Sequence, residues 1–272
     1  MKSASTGRQK RTIVGMVHLP PLPGTPFYEE GSYETVFKKA LGDATALYRG
    51  GASGCLVQTI DRVYSTKDEA DPARVAAMAN IVQAIAEVTG PNFRIGVQIL
   101  RNAIQASLAV AQVSGGSFVR CAALVGATMS SDGIVEADPL AVAQYRRRIG
   151  AMKVQMIVEI SSMHYQSLDG TPVAETARAA VRAGADAVSL GDPDEAITRR
   201  MIREVRKAVP QTPIFLAGYT NHENAARRLA EADGAFVGSC LEKGKWGSEV
   251  DEERVRAYMK IVSTLEETNG TG

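Results

Sequence analysis

Short apolar runs of about four to seven residues alternate with longer stretches whose apolar positions recur every three or four residues, and the alternation repeats along the whole chain. The runs at 12–17, 54–59, 93–99, 117–121, 154–160, 186–190, 213–217 and 234–237 read as strands, bounded mostly by Gly, Pro or Asp. In the second amphipathic stretch Met78, Ile81, Val82 and Ile85 share one helical face, which must turn toward the sheet. Asp71-Pro72, Asp138-Pro139, Thr171-Pro172 and Asp192-Pro193 each place a capping oxygen before a proline suited to a first helical turn, and Asp251 precedes the last helix. Repeated βα units of this kind wrap helices around a parallel sheet. Eight pairs predict an α/β fold, a single (β/α)8 TIM barrel over residues 12–266, with a basic disordered tail at 1–11 and a polar tail at 267–272. The connections 19–33, 60–70 and 122–137 are long, and long ordered loops in barrels more often carry function than fill space.

The bulk composition narrows the partners. At 272 residues with 45% hydrophobic content the chain fits one large barrel, and 31 Lys and Arg nearly cancel 30 Asp and Glu. No global field draws it to nucleic acid or anionic lipid, so any anion site must be local. Cys55, Cys121 and Cys240 are odd in number and lack Cys-x-x-Cys spacing, which argues against a disulfide framework and a thiolate zinc site and for a reducing, cytoplasmic setting. No apolar run is long enough for a signal peptide or a membrane span, so direct membrane insertion is not expected. Homo-oligomerisation is the default for this barrel class.

The two C-terminal runs Pro213-Ile214-Phe215-Leu216-Ala217-Gly218 and Asp233-Gly234-Ala235-Phe236-Val237-Gly238-Ser239 each reach a glycine where a helix should begin. In a (β/α)8 barrel the loops after strands seven and eight offer free backbone N–H groups on one face, and glycine lets a phosphate approach them. The candidate phosphate site is Gly191, Gly218, Tyr219, Thr220, Gly238 and Ser239, glycine amides and two hydroxyls around a dianion. The bland alternative is that these glycines only permit tight turns. Lys243 and Lys245 either add charge nearby or are simply solvated.

Four strand-end residues are candidates for chemistry. His18 ends strand one beside the stiff Pro20-Pro21-Leu22-Pro23 turn, and could act as acid or base or merely anchor the loop. Glu159 closes strand five: burial would favour a neutral carboxyl suited to proton transfer, whereas an ion pair with Arg120 would make it a structural or orienting group. Arg120 and Gln98, at the ends of central strands, could fix hydroxyl or carboxylate groups of a ligand. His164, just past strand five, and Cys121, at the end of strand four, rank lower, and Asp132 reads as a turn residue. His18, Asp61, Glu159 and His164 could gather around a divalent metal, but nothing in their spacing demands one. No metal is assigned, and no Gly-x-Gly-x-x-Gly points to a redox cofactor.

The run Ile13-Val14-Gly15-Met16-Val17-His18-Leu19-Pro20-Pro21-Leu22-Pro23-Gly24-Thr25-Pro26 closely resembles the opening of the BtpA/SgcQ family. Similar segments follow at Gly96-Val97-Gln98-Ile99-Leu100-Arg101-Asn102, Phe118-Val119-Arg120, Asp132-Gly133-Ile134, Gly184-Ala185-Asp186-Ala187-Val188 and Asp233 to Ser239, spanning about residues 11–265. The resemblance implies a TIM barrel of the ribulose-phosphate-binding type, without a settled general reaction. Some members are associated with photosystem I accumulation, others with sugar-utilisation genes. Where the family shows Glu-Asn after strand two, Asn after strand three, Asp in strand five and Lys before its histidine, this chain has Gln58-Thr59, Gln98, Glu159 and Met163. The chain is a divergent branch.

Two functions follow as expectations. The first is acid–base chemistry, an isomerase, epimerase or lyase acting on a phosphorylated small molecule such as a sugar phosphate or nucleotide-like compound. The second is a non-catalytic factor that assists assembly of a larger complex, which would expose apolar surface. The helix face with Ala174, Ala177, Ala180 and Val181 could pack against the sheet or a second subunit, and periodicity does not separate these uses.

Overall fold

The computed structural model describes residues 10–268. In chain order the elements are β1 Thr12–Leu19, α1 Tyr33–Arg49, β2 Gly54–Thr59, α2 Pro72–Val88, β3 Arg94–Gln98, α3 Ile104–Ser114, β4 Phe118–Cys121, β5 Ala127–Ser130, β6 Gly133–Glu136, α4 Pro139–Arg148, β7 Gln155–Ser161, α5 Val173–Arg182, β8 Ala187–Leu190, α6 Glu195–Ala208, β9 Ile214–Leu216, α7 Ala225–Arg228, β10 Gly234–Val237 and α8 Glu252–Thr268. Strands β1, β2, β3, β4, β7, β8, β9 and β10 pair in parallel and close on themselves, β10 against β1. This is the (β/α)8 barrel that the alternation predicts. Of the expected tails at 1–11 and 267–272, residues 1–9 and 269–272 lie outside the described residues, while Arg11 is buried with its Nε donating to the Leu229 carbonyl and α8 runs on to Thr268.

Parity along the strands explains how so apolar a set of strands supports a polar site. Successive side chains in a strand point to opposite faces. Ile13, Val17 and Leu19 of β1, with Cys55, Val57, Val97, Val119, Val158, Val188 and Val237 on the other strands, join the shell between sheet and helices. Val14, Met16, Leu56, Phe118, Ile157, Ala187, Phe215 and Phe236 fill the barrel interior as a separate cluster. Gly96 belongs to that inner tier because a methyl there would sit 2.2 Å from the Phe118 ring. The helix faces agree: Met78, Ile81, Val82 and Ile85 of α2 are fully buried. On α5 Ala177 and Ala180 are also buried, while Ala174 is half-buried and Val181 packs against the same core. The small-residue face of α5 is therefore turned onto the barrel.

The caps hold in three places and shift in two. Asp71, Asp138 and Asp251 accept backbone N–H groups at the starts of α2, α4 and α8. At α6 the cap is Asp194, two residues beyond the expected Asp192-Pro193, because Asp192 instead accepts the Asp194 N–H in the preceding turn. At α5 Pro172 itself occupies the capping position and no side chain caps the helix. The connection 122–137 is not irregular throughout. It folds into the antiparallel hairpin β5–β6, with Met129 opposite Ile134.

Candidate active site

Two residues beyond the apolar inner tier, the same strands turn polar. His18, Gln58, Gln98, Arg120 and Glu159 are the last inward positions of β1, β2, β3, β4 and β7, with His18 level with Gln58 and Gln58 level with Gln98. Those tips ring the C-terminal end of the barrel, where a cavity of about 440 Å³ opens. All five line it. Of the sequence candidates, His18, Gln98, Arg120, Glu159, His164, Gly218, Tyr219, Thr220, Gly238 and Ser239 converge there, while Gly191 does not.

The polar ring is already bonded into pairs. Arg120 Nη2 donates to Glu159 Oε1 at 2.9 Å, with the two side chains 5% and 1% exposed. Of the two readings open for Glu159, the ion pair is the one present. Ser162 Oγ also donates to Oε1, and no donor among the described residues reaches Oε2. The Arg120 guanidinium lies over the Phe236 ring at 4.8 Å, and its buried Nε has no partner among the described residues. Gln58 Nε2 donates to Gln98 Oε1 at 3.0 Å, which fixes the orientation of both amides.

His18 is held from behind. Its Nδ1 lies 2.8 Å from Glu242 Oε1, a carboxylate 224 positions away that is itself buried and that accepts the Gly247 N–H on its other oxygen. No protein atom among the described residues bonds His18 Nε2. The arrangement is that of an imidazole whose tautomer and ring angle are set by a carboxylate while the second nitrogen remains open. Trp246 packs on the ring at 5.1 Å between centroids.

At the tips of β9 and β10 the backbone is arranged as the glycine pattern suggests. Gly218 has φ +100°, a region side chains avoid, and Tyr219 follows at φ +58°. No acceptor among the described residues takes the main-chain N–H of Gly218, Tyr219, Thr220, Gly238 or Ser239. Five amides clustered at one cavity wall without acceptors form a concavity suited to an anion. A Cβ on Gly238 would stand 3.3 Å from Met16 and 3.5 Å from His18 Cε1, so the glycine also brings this wall up to the imidazole.

One phosphate candidate is corrected. The Gly191 amide donates to the Ser161 carbonyl at 2.8 Å where β7 slips register against β8, so it is consumed in the barrel wall. The Thr220 hydroxyl shares a buried hydrogen bond with Tyr258 at 2.6 Å, which fixes its position at the cavity wall. Lys243 pairs with Glu249 at 2.8 Å in the groove beside α1 and is absent from the mouth.

Sequence reasoning passed over Glu242, Tyr64, Arg101 and Trp246. Arg101 also lines the mouth, pairs with Asp132 at 3.1 Å and lies over Tyr64 at 4.7 Å. Asp132 is thus more than a turn former, since it also accepts the Tyr64 amide and ties the β5–β6 hairpin to the loop after β2. Burial pushes the Tyr64 hydroxyl above its ordinary pKa. Burial does the same to the Cys121 thiol, which points into the shell between sheet and helices, so it is no nucleophile for this mouth. Among the described residues no group of three or more His, Cys, Asp or Glu side chains is placed to hold a metal ion, and no helix is long and apolar enough to cross a membrane.

Comparison with known proteins adds lineage to this geometry. A model of the BtpA family matches residues 9–264. The photosystem I biogenesis protein BtpA of Synechocystis sp. is 29% identical over 92% of this chain and 88% of its own length. Among solved structures, the phosphoribosyl anthranilate isomerase of Thermus thermophilus is similar with TM-score 0.55 and 15% identity, covering 93% of this chain and 100% of that one. The thiamine phosphate pyrophosphorylase of Pyrococcus furiosus is similar with TM-score 0.53 and 16% identity, covering 93% and 96%. At such identities the structural likeness speaks for the fold.

Proposed function

The chain belongs to the BtpA family, and on that footing we propose that its barrel mouth is an active site for acid–base chemistry on a phosphorylated small molecule. The observation that carries the reading is the set of five main-chain amides without acceptors at the tips of β9 and β10, on the cavity that holds His18, Arg120 and Glu159. The amides take the phosphate, and its binding energy positions the rest of the ligand across the mouth. His18, oriented by Glu242, moves a proton at its free Nε2. Glu159, paired with Arg120, holds the guanidinium in place, and Arg120 with Gln98 orients hydroxyl or carbonyl oxygens of the ligand. These roles fit an isomerase, epimerase or lyase. Two barrels of similar fold bear names that specify phosphorylated compounds, which supports the class of ligand.

Two measurements test this reading. Inorganic phosphate and sugar phosphates should raise the thermal midpoint, because a ligand bound only by the folded state stabilises it. Gly238→Val, which fills the wall against His18, should abolish the shift. In D2O a sugar phosphate carrying a carbonyl should lose its adjacent C–H proton signal with wild type and not with His18→Gln. Absence of any response to phosphate compounds would sink the proposal. A second reading, a role in assembling a larger complex, draws on the name of the Synechocystis relative. It predicts that His18→Gln leaves the biological role intact.

A further inference from the structure

Beside the mouth lies a second concavity of about 410 Å³, enclosed by the loops after β1 and β2. Pro20, Pro21, Phe27, Val36, Ile60 and Trp246 supply its apolar lining. Ile60 and Trp246 also line the mouth, so the two spaces adjoin at these side chains.

The groove is preformed. Leu22 is buried under the proline turn, and the amide and hydroxyl of Thr25 both return to the Leu22 carbonyl. Trp246 is 59% exposed, yet its segment is tied down by the bond from Gly247 to buried Glu242 and by the packing of the indole on His18. A large aromatic side chain fixed in place and left open at a cavity edge is a ready stacking surface. Phe27 on the same lining carries the flat guanidinium of Arg62 over its ring at 5.0 Å, which presents a planar cation to the groove. Glu29 and Asp61 on the lining supply carboxylate acceptors for ring N–H or amino groups.

We infer that this groove is the subsite for a planar heterocycle, and that the ligand is a nucleoside 5′-phosphate rather than a bare sugar phosphate. The inference rests on the phosphate reading above: the cradle takes the phosphate, the ribose crosses the mouth beside His18 and Glu159, and the base stacks on Trp246 with the Phe27–Arg62 pair lining the same groove. Binding energy from the base would then position the sugar carbons for proton transfer.

The chain has a single tryptophan, so its emission reports the groove directly. The full chain is titrated by fluorescence and calorimetry with ribose 5-phosphate and with the 5′-monophosphates of adenosine, guanosine, cytidine and uridine, and the series is repeated on Phe27→Ala. At least one nucleotide should bind about ten-fold or more tighter than ribose 5-phosphate and change the tryptophan emission, the scale of a stacked base. Phe27→Ala should remove most of that advantage while leaving ribose 5-phosphate binding within about two-fold, which also shows that the variant is folded. If ribose 5-phosphate binds and all four nucleotides bind no better, the groove inference is overturned and the phosphate reading stands. If no phosphate compound binds, both fall together.

Discussion

Removing one member of the Arg120–Glu159 pair should cost far more than removing both. The two side chains meet at 2.9 Å with 5% and 1% exposure, and Phe236 closes one face of the guanidinium. Arg120→Met leaves a carboxylate held by Ser162 but without its counter-charge, and Glu159→Leu leaves a guanidinium over an aromatic ring without its acceptor. An uncompensated buried charge of this kind costs about 3–5 kcal/mol. At about 2–4 °C per kcal/mol for a domain somewhat smaller than this one, each single variant should melt roughly 6–20 °C below wild type. Replacing both with apolar residues of similar volume removes the attraction and the two desolvation costs together, so the double variant should return to within about 2 kcal/mol of wild type. The assay is a double-mutant cycle by urea and thermal unfolding, with phosphate-ligand binding measured on the same samples. The expected result is a coupling of at least about 2 kcal/mol and a stable double variant that has lost turnover. Strictly additive losses would refute the reasoning, since they would mean that water at the mouth solvates each charge independently. A double variant with full activity would instead remove both residues from the chemistry.

Acidification should respond to Asp43. Its carboxyl is raised above the ordinary value by burial, against the opposing pull of Lys39 at 2.6 Å and of the Val250 amide. The folded state therefore binds this proton before the unfolded state does, so the contribution is fully present below the unfolded value of about 3.9 and is lost as pH rises through the raised folded value. Relative to Asp43→Asn, wild type should gain stability as pH falls from 7 to 4 in urea unfolding; a difference that stays constant or shrinks would contradict this. The thiols should be slow. Burial pushes Cys240 up to about 11 and carries Cys55 and Cys121 higher still, so a colorimetric thiol reagent at pH 8 should find almost none in the native chain and all three in denaturant. One fast native thiol would reveal a reactive site that the packing does not account for.

What the sequence by itself determined is whatever depends on local periodicity. Alternation of apolar runs and amphipathic stretches located all eight barrel strands within about two residues at each end, because a parallel strand buried on both faces must be apolar along its length. It also placed His18, Gln98, Arg120 and Glu159 at strand tips, where a polar side chain interrupting an apolar strand can point only to the open end of the barrel. The glycines after β9 and β10 were legible too, since Gly218 adopts a backbone angle that other residues resist.

Tertiary structure decided who meets whom. Glu242 stands behind His18 only because the closing turn after β10 folds back over β1, across 224 positions that no local pattern links. The Gly191 amide is lost to the wall through a register slip between β7 and β8, and the Thr220 hydroxyl is taken by Tyr258 from α8. The β5–β6 hairpin escaped notice because each strand spans four residues and its half-exposed faces give no apolar run. Periodicity encodes which face of an element is buried. It does not encode which buried or rim groups from distant elements share a hydrogen bond, since that depends on barrel closure and strand register.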